Sequence, residues 1–306
     1  MQSSRKPAEL DHEEHPGVGM VAAVGAFFLF AVMMVFAKLL AERHSVIEIA
    51  FYRNLIGTIP FLLMIFAFGR KEILVLRSKP SLVGLRAVLG TISLSLSFAA
   101  FALMPMADAN ALLFTSSLFI PFLAVFMLKE AVGPWRWTAV VVGFIGVLIM
   151  VRPGGAVNAL GITVAISAAF IQAIMAIILR YLGRHESPET ISFYFMVVGT
   201  VLTALPLPFI AVQPSLREVP WLFGVGLTGA AAQWLLTVAF KHAKAVAVTI
   251  FGYSGIIWST LFGWLIWNDW PLPGIFVGAA IVIAANIVIA WRESRRGRIN
   301  EVLGSE

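Results

Sequence analysis

One stretch of this chain is written twice. Gly19–Thr58 recurs without a gap at Gly161–Thr200, so that Gly19, Ala23, Phe28, Met33, Leu40, Ser45, Phe51, Tyr52, Gly57 and Thr58 keep the spacing of Gly161, Ala165, Phe170, Met175, Leu182, Ser187, Phe193, Tyr194, Gly199 and Thr200. The chain is therefore confined to architectures made of two related units. The second halves of the copies align at a slightly shorter offset: Gly90, Ala100, Phe101 and Pro134 match Gly229, Ala239, Phe240 and Pro273, and Glu130 falls opposite Asp269.

Each copy holds apolar runs long enough to cross a hydrocarbon core, roughly 17–25 residues apiece. They fall at about 17–41, 46–68, 81–103, 106–128, 134–151, 159–182, 190–211, 219–241, 246–267 and 272–291. The chain is 60% hydrophobic and 12% charged, where soluble domains average about 45–50% and 25%. It belongs in a membrane. Helices are expected, because lipid leaves backbone amides without hydrogen-bond partners and the runs lack strand alternation. Pro105, Gly133-Pro134, Pro153-Gly154-Gly155, Ser187-Pro188 and Pro271-Leu-Pro273 punctuate them.

Five crossings per copy turn the second copy upside down relative to the first, a pattern common in secondary transporters. The loops carry the same message. The basic link Arg70–Lys79 corresponds to the sparse Gln213–Pro220, and the uncharged Met104–Met106 corresponds to Ala243–Ala245 beside Lys241. Lys and Arg gather on the side that holds both termini, which makes that side cytoplasmic. The resulting organisation is a polar tail at 1–16, a first five-helix repeat at 17–151, a second, inverted repeat at 159–291 and a basic tail at 292–306. The polar N-terminus lacks the features of a cleaved leader, so 17–40 is expected to be retained.

The same features exclude several function classes. With no cysteine there is no disulfide frame, thiolate nucleophile or cysteine metal site. The net charge of +6 lies in loops rather than on one face, so nucleic acid is not expected. Val151-Arg-Pro-Gly-Gly155 lacks the Gly-Lys-Ser/Thr of a phosphate loop, no His-Glu-x-x-His occurs, and the five histidines are scattered. The run Ser93, Ser95, Ser97 has no neighbouring base and spreads around its helix. No enzyme activity, cofactor or metal is expected, a membrane-embedded enzyme or a non-transporting scaffold being the remote alternative.

Several short motifs resemble a known family. Phe51-Tyr-Arg53-Asn in the second span, Ala107-Asp-Ala-Asn-Ala-Leu leading to Pro121 and Leu128-Lys-Glu130 in the fourth, and Gly143 with Gly146 in the fifth resemble the EamA family of the drug/metabolite transporter superfamily. Asp269 and Thr260 depart from that pattern in the second copy. The resemblance implies an all-α integral membrane protein of ten transmembrane helices around a central cavity. It also implies alternating access without ATP, moving a small polar or zwitterionic metabolite such as an amino acid or a derivative of one. A nucleoside-like, sulfonium or vitamin cargo remains the alternative, because substrate does not follow from fold. The expected partners are a small-molecule substrate, the lipid bilayer of the bacterial inner membrane, and a coupling ion or proton. Oligomeric state is not legible.

Polar groups inside spans are expensive and therefore candidates for function. Arg53 stands roughly 10 Å in from the end of its span at ~1.5 Å per residue, where it would bind a substrate carboxylate or phosphate. The structural alternatives are an ion pair with Glu48 or snorkelling outward. Glu48, Asp108, Glu130 and Asp269 are candidates for proton coupling or gating, with solvation, helix capping and interfacial placement as their ordinary roles. Asn110, Phe114, Thr115, Gln172, Gln233, Trp234, Tyr253 and Ser254 are candidates to line the cavity. Phe114 and Thr115 are the repeat equivalents of Tyr253 and Ser254, which would set an aromatic ring and a hydroxyl on each side. Trp135, Trp137, Trp221, Trp267 and Trp270 read as interfacial anchors.

Overall fold

A computed structural model describes residues 16–127, 134–151, 158–183, 185–243, 248, 251–285 and 287–288. All regular structure among them is helical. The helices are α1 (Pro16–Leu40), α2 (Val46–Phe66), α3 (Pro80–Leu103), α4 (Met106–Leu113), α5 (Ser116–Met127), α6 (Pro134–Val151), α7 (Ala159–Leu182), α8 (Pro188–Ala204), α9 (Leu207–Ile210), α10 (Val219–His242), α11 (Ser254–Trp267) and α12 (Pro273–Ala285). Five of these are long and apolar enough to span a bilayer by themselves, at Gly17–Leu40, Val46–Phe66, Pro80–Leu103, Ala159–Leu179 and Val219–His242.

Local chemistry sets the boundaries, and the copies reuse it. Ser45 caps α2 by accepting from the Glu48 N–H at 3.2 Å, and its equivalent Ser187 caps α8 by accepting from the Thr190 N–H at 3.1 Å. Each cap satisfies a donor that the first helical turn leaves open. Pro80 and Pro188 sit at helix starts, where a missing N–H costs nothing.

The copies interlock rather than sit side by side. α1 packs along α10 and α3 along α7, each joining a first or third span of one copy to the third or first of the other, while α2 lies against α8. The α2–α8 contact is reciprocal. A side chain added at Gly57 would meet Met196 Sδ at 2.7 Å, and one added at Gly199 would run into Asn54 Nδ2. Gly57 and Asn54 stand in the repeat where Gly199 and Met196 stand, so α2 and α8 cross on the pseudo-twofold axis. Without a hydrophobic drive between helices in lipid, such close approach supplies the packing energy. Lipid is met by stripes such as Val141, Val142, Ile145 and Leu148 on α6, all exposed.

The fourth span departs from the single run 106–128 expected from its hydropathy. It breaks at Phe114–Thr115 into α4 and α5. The ninth span breaks at Tyr253, the repeat equivalent of Phe114. At both breaks the ladder tightens to three residues, with Ser117 N–H donating to Phe114 O at 3.2 Å and Ile256 N–H to Tyr253 O at 3.0 Å. Thr260, where the first copy has Pro121, does not prevent the second break.

Candidate functional site

Between the copies lies a cavity of about 270 Å³. Broken backbone at membrane depth is tolerated where it lines such a space. The walls are largely apolar, with Phe27, Phe30, Phe101, Phe195 and Phe240 among them. Polar groups are few: Arg53, Ser93, Ser97, Asn110, Gln172 and Gln233 converge with Ser116, Ser117 and Ser259. An aromatic box with a handful of polar fixtures is the usual build of a small-molecule site.

Arg53 is the charged fixture. It is 1% exposed. Its Nη1 donates to Asn54 Oδ1 at 2.8 Å and its Nη2 to Gly229 O at 3.1 Å, while Nε has no partner among the described residues. Neither the pair with Glu48 nor snorkelling is what the structure shows. Glu48, fully buried, instead meets His44 Nδ1 at 2.9 Å and accepts from the Val212 N–H at 3.3 Å. Among the described residues no carboxylate pairs with Arg53. The side chain is therefore held in place by neutral acceptors with its charge uncancelled.

The other polar fixtures join the copies. Asn110 Nδ2 donates to Ser259 Oγ at 2.5 Å, and Gln172 Nε2 donates to Ser97 Oγ at 3.3 Å. Ser97 Oγ in turn donates to Ser93 O at 2.8 Å. Gln233 Nε2 has no partner among the described residues and faces the cavity. Phe114 lines it too, whereas its equivalent Tyr253 packs behind it at 5.2 Å between ring centres. Thr115 and Ser254 lie outside the lining; Thr115 sits in the first break and Ser254 opens the helix that follows the second. Trp234 is also outside it, 38% exposed on the outer face of α10, where its Nε1–H donates to Glu189 Oε1 at 3.1 Å.

Loops of the two copies are joined at each end of the bundle through equivalent positions. At one end His44 Nδ1 faces Glu48 Oε1 at 2.9 Å and its Nε2 faces Glu218 Oε2 at 3.4 Å. Position 44 corresponds in the repeat to 186. At the opposite end Glu186 accepts from the N–H of Arg77 at 2.7 Å, the N–H of Ser78 at 2.5 Å and Ser78 Oγ at 2.7 Å. Each latch joins the first loop of one copy to the second loop of the other. Of the remaining gating candidates, Asp269 stands 3.8 Å from Lys38 Nζ, which donates to Met104 O at 3.0 Å. Asp108 is half-buried in the first turn of α4, and Glu130 lies outside the described residues.

Glu218, at the water-facing end, is held down to about 2, first by the Ser215 N–H and hydroxyl and then by His44 and Arg43. A lowered carboxyl stabilises the fold fully above its ordinary value near 4.5, and that contribution is lost as pH falls through about 2. Acid titration of the purified protein is expected to loosen this end between those values. A Glu218→Gln variant is expected to lack that acid-dependent step when melting is followed against pH.

Sequence reasoning missed part of the site. Ser93 and Ser97 were dismissed as scattered, yet they are four residues apart and share one helix face; Ser95 alone turns away, donating to Thr91 O at 3.0 Å. Phe195, which stands opposite Arg53 in the repeat, carries no signal in the sequence that marks it as part of the site. Arg86, 2% exposed in α3, was not noted at all. A cation two turns inside an apolar run was the available signal.

A family model described as the EamA-like transporter family matches residues 17–152 and again 159–291. The chain is 29% identical to the pseudopaline exporter CntI of Pseudomonas aeruginosa, over 89% of this chain and 95% of that protein. It is 33% identical to the riboflavin transporter of Vibrio cholerae, over 70% of this chain and 72% of that one. A third relative, the S-adenosylmethionine uptake transporter of Rickettsia prowazekii, shares 29% over 85% and 88%. One solved crystal structure superposes with a TM-score of 0.66 over 91% of this chain at 18% identity, a likeness of fold.

Proposed function

The chain belongs to the EamA-like transporter family, and on that premise we propose that its cavity carries a small, carboxylate-bearing metabolite with an apolar or aromatic body across the bacterial inner membrane. The observation that supports this cargo is Arg53, buried, facing the cavity and without a carboxylate partner among the described residues. Amino acids and their derivatives have this chemistry. A nucleoside-like or vitamin cargo is the second reading, favoured by the phenylalanine walls, which suit a flat ring. The relatives include both an exporter and uptake proteins, so their names leave direction open.

Alternating access is the mechanism that the two latches support. With the termini cytoplasmic, as the basic loops favour, His44 and Glu218 close the periplasmic end and Glu186 closes the cytoplasmic end. Opening one while keeping the other exposes the cavity to one side at a time. Proton coupling through His44, Glu48 and Glu218 is the form of ion coupling that this arrangement supports.

Flux into proteoliposomes tests the reading. Saturable uptake or counterflow is expected for at least one member of a panel of amino acids, nucleosides and vitamins, and its absence throughout the panel removes the proposal. The gate has its own test. Glu186→Ala leaves two N–H groups without their charged acceptor, a loss of about 1.5–3 kcal/mol. The native chain has no cysteine, so Ser97→Cys in the cavity wall is a clean reporter. Its labelling by an impermeant thiol reagent from the cytoplasmic side is expected to speed up in the Glu186→Ala background.

A further inference from the structure

Arg86 enters the bundle from the Glu186 end, about 9 Å past the start of α3 at ~1.5 Å per residue. Its Nε and Nη1 have no hydrogen-bond partner among the described residues. Its guanidinium carbon lies 4.3 Å from the centre of the Phe195 ring, and that of Arg53 lies 5.0 Å from the same ring. The two distances together cap the separation of the guanidinium groups at about 9 Å. Gly90, one turn beyond Arg86, lines the cavity, and a side chain there would strike the Phe195 ring at 2.8 Å.

Two buried cations this close repel each other, and desolvation penalises each. Carboxylates that could offset them are engaged elsewhere: on the helices packed against α2 and α3, Glu48 is held by His44 and Glu189 by Trp234, and no described ion pair involves either arginine. The face of Phe195 compensates in part, by cation–π attraction to both. That ring is not placed there by accident of packing, because Phe195 holds in the second copy the position of Arg53 in the first. The pair meets on the axis where α2 and α8 cross. Arg86, 2% exposed, lies behind the cavity lining, and Phe195, which is part of that lining, packs against both arginines.

We propose that Arg53 and Arg86 form a two-arginine clamp for one carboxylate of the cargo, that the Phe195 ring occupies the anion's place when the clamp is empty, and that the cargo is therefore an organic anion rather than a neutral or zwitterionic metabolite. A carboxylate lying between the two guanidinium groups receives charged hydrogen bonds of about 2.8 Å from both. Phe195 then turns aside into the cavity, next to the flexible thioether of Met175. This narrows the cargo class proposed above and rests on that transporter reading.

The test uses the purified protein with acid–amide pairs matched in shape in which the amide carries no carboxylate, such as nicotinate with nicotinamide and phenylacetate with phenylacetamide. At least one acid is expected to raise the melting temperature and compete for flux at least tenfold better than its amide. Arg86→Gln is expected to abolish that preference and, by removing an unpaired buried charge, to leave the ligand-free melting temperature equal or higher. Phe195→Leu, which removes the competing ring face, is expected to tighten binding of the acid. The clamp is overturned if no acid outperforms its amide, or if Arg86→Gln lowers ligand-free stability while the preference persists. Saturable flux of neutral metabolites alone sinks the clamp and leaves the transporter reading standing, whereas no saturable flux of any compound sinks both.

Discussion

Arg53→Lys is expected to weaken cargo binding by about tenfold to a hundredfold, the loss of one or two charged hydrogen bonds at about 1.5–3 kcal/mol, while the protein remains folded. The reasoning is geometric. Arg53 commits Nη1 to Asn54 and Nη2 to the Gly229 carbonyl, its Nε is buried beside Gly229 without a partner among the described residues, and the residue lines the cavity with its planar cation. A lysine ammonium is a point charge on a flexible stem, so it cannot hold both neutral acceptors and a carboxylate in a fixed plane. The measurement is KM for flux beside the melting temperature without ligand. A drop in melting temperature with KM unchanged would assign Arg53 to structure alone.

The second large effect concerns packing between the copies. Gly278→Ala is expected to lower stability by about 1–3 kcal/mol, as overpacking does, and to reduce the yield of folded protein. A Cβ at Gly278 would run into the carbonyl oxygen of Gly146 and sit 3.2 Å from Met150 N, and a Cβ at Gly146 would sit 2.8 Å from the carbonyl oxygen of Gly278. These obstacles are backbone, which no rotamer change relieves. Gly84 supplies the control. It stands in α3 with nothing within 4 Å of an added Cβ, so Gly84→Ala is expected to gain up to about 1 kcal/mol from helix propensity. Thermal melting of both variants in one detergent checks the contrast.

The site was legible in proportion to how local its signal was. Arg53, Gln172 and Gln233 stood out because a polar residue in an apolar run has a cost at any position in the bundle, and all three line the cavity. Thr115, Ser254 and Trp234 had the same chemistry but not the same placement. Thr115 lies in a helix break and Ser254 directly after one, both outside the lining, and Trp234 faces outward on α10. Nothing in a single run distinguishes its inner from its outer face when both are apolar. The latch between Glu186 and Arg77–Ser78 was equally hidden, since its partners are 108 and 109 residues apart.

By itself the sequence determined the membrane environment, the helical class, the family and the inverted duplication, because these depend on hydropathy run by run and on self-similarity at a fixed offset. Tertiary structure decided which residues meet. It set Arg53 against its own repeat equivalent Phe195 rather than against Glu48, and it brought Arg86 against the same ring. The physical reason is the crossing of α2 and α8 on the pseudo-twofold axis: a pseudo-symmetric contact places equivalent positions together, and the axis appears only once the two copies are packed.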